Sequence, residues 1–291
     1  MTRLIDRLSD ISQNYDVLFC DLWGCLHDGV RAFPDAVSAL LAYREGGGRV
    51  VLLTNSPRPS EGVKRQLESL GVPEGAYDMV VSSGDAAQSA LFGGMVGRKV
   101  WHLGPPKDDR FFSPPPGGDW PAVERVPLEQ AEGIVCTGPF EDGDVPEDYR
   151  ARLLSAKARG LKLLCANPDL VVDHGGRRLY CAGAIAALYT DMGGESLYFG
   201  KPHAPIYELA RARLGESGLA PANERILALG DGIGTDIQGA LQEDIDALFI
   251  TGGIAAAETG TGPGSAPDPE RLRDFLHRNG QSPVWAIGYL R

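Results

Sequence analysis

The sequence lacks any uninterrupted apolar run of the ~18–20 residues that a bilayer-spanning helix requires, which excludes a helical membrane protein. It is also poor in cysteine. There are five, at positions 20, 25, 136, 165 and 181, with no CxxC pair and no histidine nearby at zinc-ligand spacing. Neither a disulfide framework nor a zinc site is indicated, and a reducing compartment is expected. Positive charge is in short supply too: 28 Lys and Arg stand against 39 Asp and Glu, a formal net charge of -11. Nucleic-acid binding needs clustered cations to displace counterions from phosphate, so that class is disfavoured as well. The opening residues MTRLIDRLSDISQ are amphipathic and carry no signal-peptide apolar core, so a cytoplasmic protein is expected.

What is present is an ordinary globular composition, 43% hydrophobic and 23% charged over 291 residues, enough chain for one large or two modest domains. Six apolar runs, YDVLFC, RVVLLT, YDMVVS, SLYFG, RILALG and DALFIT, read as core strands. They alternate with helix-like stretches, the pattern of βαβ units and a parallel sheet. In FPDAVSALLAYREGG, Pro34 opens a helix and the glycines at 46 to 48 close it; SEGVKRQLESLG ends on Gly71. The middle of the chain differs. LGPPKDDRFFSPPPGGDWP is too rich in Pro and Gly to continue a regular βα series, while RKVWHLG, EGIVCTG and LKLLCAN read as further strands around it. The expected fold is α/β: a Rossmann-like core with a parallel sheet from residues 1–85 and 187–291, and an inserted α/β domain over 86–186.

Open parallel sheets bind ligands outside the carboxyl ends of their strands. Asp21 follows the first strand, Thr54 and Asn55 end the second, Lys201 follows SLYFG, and Asp231 follows RILALG. A carboxylate such as Asp21 can attack a phosphoryl group and split one hard step into two easier ones. Lys201 and a Mg²⁺ ion would offset the repulsion between the two anions. Asp231 and Asp236 in GDGIGTD supply the hard oxygen ligands that Mg²⁺ prefers. Each residue also has a plainer role when taken singly: Asp21 as a turn or cap residue, Asp236 as an N-cap, Lys201 as a surface lysine, Thr54 and Asn55 as a turn before Pro57. Cys20 and Cys25 read as small buried apolar fillers.

Taken in order, DLWGCL, LLTNS, GKPH and GDGIGTD resemble the four motifs of the haloacid-dehalogenase superfamily, and the insertion between the second and third resembles its C2-capped, class IIA phosphatases. The resemblance implies a Mg²⁺-dependent hydrolase of a small phosphorylated metabolite. Asp21 would be the nucleophile and a metal ligand, the backbone carbonyl of Trp23 a second ligand, Asp231 the third, and Asp236 an outer-shell support. Thr54, Asn55 and Ser56 would hold the phosphoryl oxygens, and Lys201 would contact both nucleophile and phosphate. Asn167 and Asp169 in CANPDL become candidates for substrate contact from the cap. Cap-to-cap dimers occur among similar proteins, so a homodimer is compatible with this reading.

Trp23 departs from the pattern. Phosphatases of the family usually carry a second aspartate there, which protonates the leaving oxygen and later activates water; tryptophan does neither. A positioned general acid contributes about 10²- to 10⁴-fold, or roughly 3 to 5 kcal/mol of barrier. Three readings stay open: substrates whose leaving groups need little protonation, a substitute acid at His27 or Asp28, or a catalytically weak protein that binds phosphate and metal. A fourth, haloacid dehalogenation, needs no Mg²⁺, and both acidic positions of GDGIGTD speak against it.

Overall fold

The computed structural model describes residues 2–174 and 177–291, and the chain divides into two compact units. The first comprises Met1–Thr54, Lys64–Val81 and Tyr207–Arg291. It is built on a seven-stranded sheet in the order Arg3–Leu4, Trp285–Ile287, Asp246–Ile250, Ile226–Gly230, Val17–Cys20, Arg49–Thr54, Met79–Ser82. Val17–Cys20 lies in the middle and pairs in parallel with Ile226–Gly230 on one side and Arg49–Thr54 on the other. All four of its residues are buried, as are all five of Ile226–Gly230. Strands covered on both faces are continuously apolar rather than alternating, which is why VLFC and ILALG read as they do. Each large apolar side chain withdrawn from water there contributes about 1.5–3 kcal/mol.

The helix Pro34–Glu45 starts on its proline and stops at Gly46, as expected. Near the C-terminus, the Asp268 carboxylate accepts from the Glu270 and Arg271 N–H groups and caps Pro269–Asn279. The two short strands at one side of this sheet, Arg3–Leu4 at its edge and Trp285–Ile287 next to it, were not legible from the sequence: a two-residue run and a three-residue run carry no periodicity.

The second unit comprises Asn55–Val63 and Ser82–Ile206. Its five-stranded sheet runs Glu195–Tyr198, Lys162–Cys165, Gly133–Cys136, Lys99–Leu103, Glu124–Arg125, with every pairing parallel. A separate antiparallel pair is formed by Val171–His174 and Arg177–Tyr180. Its core gathers Leu103, Ile134, Tyr149, Leu153, Leu163, Ile185 and Tyr189.

SLYFG requires a correction. Read as a strand of the larger sheet, Glu195–Tyr198 instead lies at the edge of the five-stranded one, with Tyr198 opposite Cys165. The second unit accordingly runs on to Ile206, past the boundary at 186 read from the sequence. No helix among the described residues is long and apolar enough to cross a membrane.

Candidate active site

Within the first unit, the polar residues gather where the central strands leave the sheet. The Asp21 N–H donates to the Leu229 carbonyl at 2.9 Å, extending the ladder one residue beyond Cys20. Asp231 directly follows Gly230 on that same neighbouring strand. The two aspartates therefore emerge side by side, and with Cys25 they bring three ligand-type atoms within 4.8 Å of one another. Asp21 is only 8% exposed, and Thr54, which ends the other flanking strand, is buried as well.

The turn between Asp21 and Cys25 is shaped for this approach. Gly24 has a φ of +75°, and a Cβ there would lie 2.1 Å from Asp231 Oδ2. Only glycine fits on both counts. From the other side, Asp231 Oδ2 accepts the Ile254 N–H at 2.8 Å. Asp236 is buried in a single π-helical turn, Ile233–Ile237, and its Oδ2 accepts the Gly232 N–H at 3.0 Å. Asp236 therefore lies inside the turn and not at the N-cap of Gln238–Gln242, which is Ile237, and π turns recur at functional sites.

The donor set fits a hard divalent cation. Burial, then the neighbouring Asp231 and Asp21 carboxylates, push the Cys25 thiol well above its ordinary range, so it is a neutral group beside two carboxylates. Carboxylate oxygens without a thiolate suit Mg²⁺ or Ca²⁺ better than a thiophilic ion. Two carboxylates drawn together at a largely buried position call for a cation between them. Cys25 is buried as expected, but its place against the carboxylates was missed; its position four residues after Asp21 in a tight turn was the available signal.

Trp23 is half-buried and meets His27 in a T-shaped contact, ring centroids 5.2 Å apart. His27 is 2% exposed, and its Nδ1 accepts the Gly29 N–H. Burial lowers its pKa to about 4, so near neutrality the ring is uncharged. Partial burial would raise the Asp28 carboxyl, yet the Arg31 and Val30 N–H groups and the Arg31 guanidinium hold it below the usual range. Neither candidate for a substitute acid carries an acidic proton near pH 7.

The second unit holds the remaining candidates. Asn55 is buried, and its amide is fully engaged: Nδ2 donates to Asp169 Oδ1 at 2.8 Å and to the Lys201 carbonyl at 3.0 Å, while Oδ1 accepts the Lys201 N–H at 2.7 Å. Both amide hydrogens are engaged by protein groups. Its contribution is to fix Lys201 and Asp169. Asn167 Oδ1 accepts the Asp169 N–H at 3.0 Å, and Ser56 Oγ accepts the Arg58 N–H. Lys201 is 3% exposed, and a cation so far from water requires an anionic partner.

Residues 18–113 match a model described as haloacid dehalogenase-like hydrolase, and residues 198–276 match a second model of the same hydrolase type. Among solved structures, a haloacid dehalogenase-like hydrolase from Brucella suis 1330 is 40% identical, with a TM-score of 0.85 over 99% of this chain and 100% of that one. A glycerol phosphate phosphatase from Mycobacterium tuberculosis, in complex with calcium, is 23% identical with a TM-score of 0.61, covering 88% of this chain and 73% of that one. A dihydroxyacetone phosphatase from Corynebacterium glutamicum is 28% identical over 97 residues, which are 33% of this chain and 34% of the relative's length. With the paired aspartates at the strand ends and an α/β insertion of the C2-cap type, the chain belongs to the haloacid dehalogenase-like hydrolase family.

Proposed function

We propose that this hydrolase is a divalent-metal-dependent phosphatase acting on a small phosphomonoester. The observation that carries the reading is the convergence of Asp21 and Asp231 at the carboxyl ends of adjacent strands, their oxygens within 4.8 Å of each other and of Cys25. Asp21, the Trp23 carbonyl and Asp231 would hold Mg²⁺, with Asp236 in support. When bound, the ion supplies charge neutralisation for a nucleophile and a phosphoryl group that otherwise repel.

The chain's own residues account for the rest. The Asp21 carboxylate attacks phosphorus and forms an aspartyl phosphate as the ester oxygen departs; water then releases phosphate and restores the carboxylate. Lys201, buried and held by Asn55 through its backbone, offsets the charge on the phosphoryl oxygens. Thr54 and Ser56 donate hydrogen bonds to them. Trp23 keeps the pocket dry and offers no proton, so the alcohol leaves with little assistance and esters of acidic alcohols react fastest. A three-carbon phosphate is the natural first trial, since the two phosphatases compared above are named for dihydroxyacetone phosphate and glycerol phosphate. We further propose that the second unit acts as the cap, with Asn167 and Asp169 facing substrate, and that the protein works in the cytoplasm.

The test is phosphate release from two aryl phosphates of high and low leaving-group pKa, with and without Mg²⁺, in the intact protein and in Asp21→Asn. Mg²⁺-dependent turnover that Asp21→Asn abolishes supports the proposal. If Asp21→Asn turns over like the intact protein, the nucleophile has been misassigned. Binding of metal and phosphate without turnover of either ester means a binding protein instead.

A further inference from the structure

Three threonines in the first unit have no part in the chemistry above, yet they sit behind the loop that holds Asp231. Thr251 and Thr259 are fully buried and Thr261 nearly so. Thr251 Oγ1 lies 3.1 Å from the Ile287 carbonyl, Thr261 Oγ1 lies 2.8 Å from Thr251 Oγ1, and Thr259 Oγ1 lies 2.7 Å from Thr261 Oγ1. Each hydroxyl has one hydrogen. Thr251 gives its own to Ile287, so Thr261 donates to Thr251 and Thr259 donates to Thr261, sharing with the Ala255 carbonyl at 3.0 Å. The result is a one-way line of hydroxyls ending on a strand carbonyl.

This line ties together two chain segments, Thr251 before the Gly252–Ile254 turn and Thr259–Thr261 after it. The base of the turn is pinned again by backbone: the Thr251 N–H donates to Ile287 O at 2.9 Å and the Gly252 N–H to Gly288 O at 2.7 Å. Its crest presses on Asp231. A Cβ on Gly253 would lie 2.0 Å from Asp231 Oδ2, and the next N–H, that of Ile254, donates to that same oxygen. Valine would fill the same buried space with no hydroxyl to satisfy. A fully connected polar network in a core fixes one geometry where an apolar cluster tolerates several.

Resting on the proposed metal role of Asp231, we infer that Thr251, Thr259 and Thr261 are positioning residues for that carboxylate, acting through the turn that carries the Ile254 N–H. They touch neither metal nor substrate. Their effect is to set where Oδ2 is held, and so how well the aspartate pair receives a divalent cation.

The experiment is Mn²⁺ binding to the full chain, followed by loss of the free ion's EPR signal, in the unaltered protein, Thr261→Val and Thr261→Ser, with thermal unfolding measured alongside. Outer-shell partners are worth 10- to 100-fold in metal affinity, and one link further out Thr261→Val should weaken Mn²⁺ binding by roughly fivefold. Thr261→Ser, which keeps the hydroxyl, should bind like the unaltered protein. If Thr261→Val lowers only the unfolding temperature and leaves the affinity intact, or if Ser is as damaging as Val, the threonines are ordinary core residues and the inference is overturned. If Thr261→Val does not fold, Thr251→Val cuts the same line at its next link and is read identically. Failure of the unaltered protein to bind Mn²⁺ overturns the metal reading itself, and this inference with it.

Discussion

Asn55 and Lys201 grip each other through a two-way exchange, the side-chain amide of one accepting the N–H and donating to the C=O of the other at 2.7 and 3.0 Å. This is how a backbone is pinned in a strand ladder, carried out here by a side chain. The motif's asparagine thus fixes the lysine's main chain.

Asn55→Ala removes three hydrogen bonds at once, two of them buried, and at about 1 kcal/mol each plus the stranded partners should cost roughly 3–5 kcal/mol. Asn55→Asp is nearly isosteric, yet it should be no milder: it cannot donate to the Lys201 carbonyl and it opposes the Asp169 carboxylate. Denaturant unfolding of the two variants checks this. An aspartate variant as stable as the parent would remove the clamp from the account.

Gly24→Ala should be damaging out of proportion to one methyl group. The φ of +75° and a Cβ 2.1 Å from Asp231 Oδ2 leave no room without displacing that carboxylate. Backbone strain of this type costs about 1–3 kcal/mol. The Mg²⁺ concentration giving half-maximal turnover should rise by ~10-fold, as for other residues that orient a ligand. A metal titration of activity that overlays the parent's would count against a shared site for the two aspartates.

On the proposed reading, in which Trp23 stands where an acid is missing, Trp23→Asp supplies that carboxyl group. Turnover of an ester with a poor leaving group should rise by about 10²- to 10⁴-fold, with little change for an activated one. The slope of log kcat against leaving-group pKa is the measurement, and it should flatten. An unchanged slope would show that protonation of the leaving group is supplied by some other group.

In the second unit, burial and the nearby Arg125 charge lower the His102 pKa to about 4, with Nε2 bonded to Thr137 and the ring edge-on to Phe112. Its folded pKa lies below the unfolded value of about 6.5, so on acidification the unfolded chain takes up the proton first. Stability is therefore full above about pH 6.5 and declines as pH falls toward 4, by about 1–2 kcal/mol once partial exposure is discounted. Guanidinium unfolding at pH 7.5 and 4.5 should show a smaller acid loss in His102→Gln than in the parent.

Much of the first unit was legible because its strands are buried on both faces: VLFC, RVVLLT, ILALG and DALFI cannot be read as amphipathic helix, and the polar residue after each marks the ligand edge. SLYFG was assigned to the wrong sheet because apolar runs do not state their neighbours; only the pairing of Tyr198 with Cys165, 33 positions away, decides it. The pair Val171–His174 and Arg177–Tyr180 escaped notice since its residues are half-exposed and largely polar. At the site, Asp21 and Asp231 were readable as side chains at strand ends. The Ile254 N–H was not, because every residue has an amide and only the folded turn aims this one. The clamp of Asn55 on Lys201 was not readable either, since residue type does not tell which partner takes its hydrogens.

The division of the first unit into Met1–Thr54, Lys64–Val81 and Tyr207–Arg291 also bears on how the protein is made. Translation delivers Val17–Cys20 early, but its neighbour Ile226–Gly230 some 200 residues later, while nearly all of the second unit arrives in between. At roughly 5–20 residues per second, the nascent strand bearing Asp21 waits on the order of ten seconds or more with one open edge. The insertion therefore has time to fold on the ribosome before the catalytic sheet can close, and a slow stretch of synthesis before residue 207 would prolong exposure of that edge to other chains.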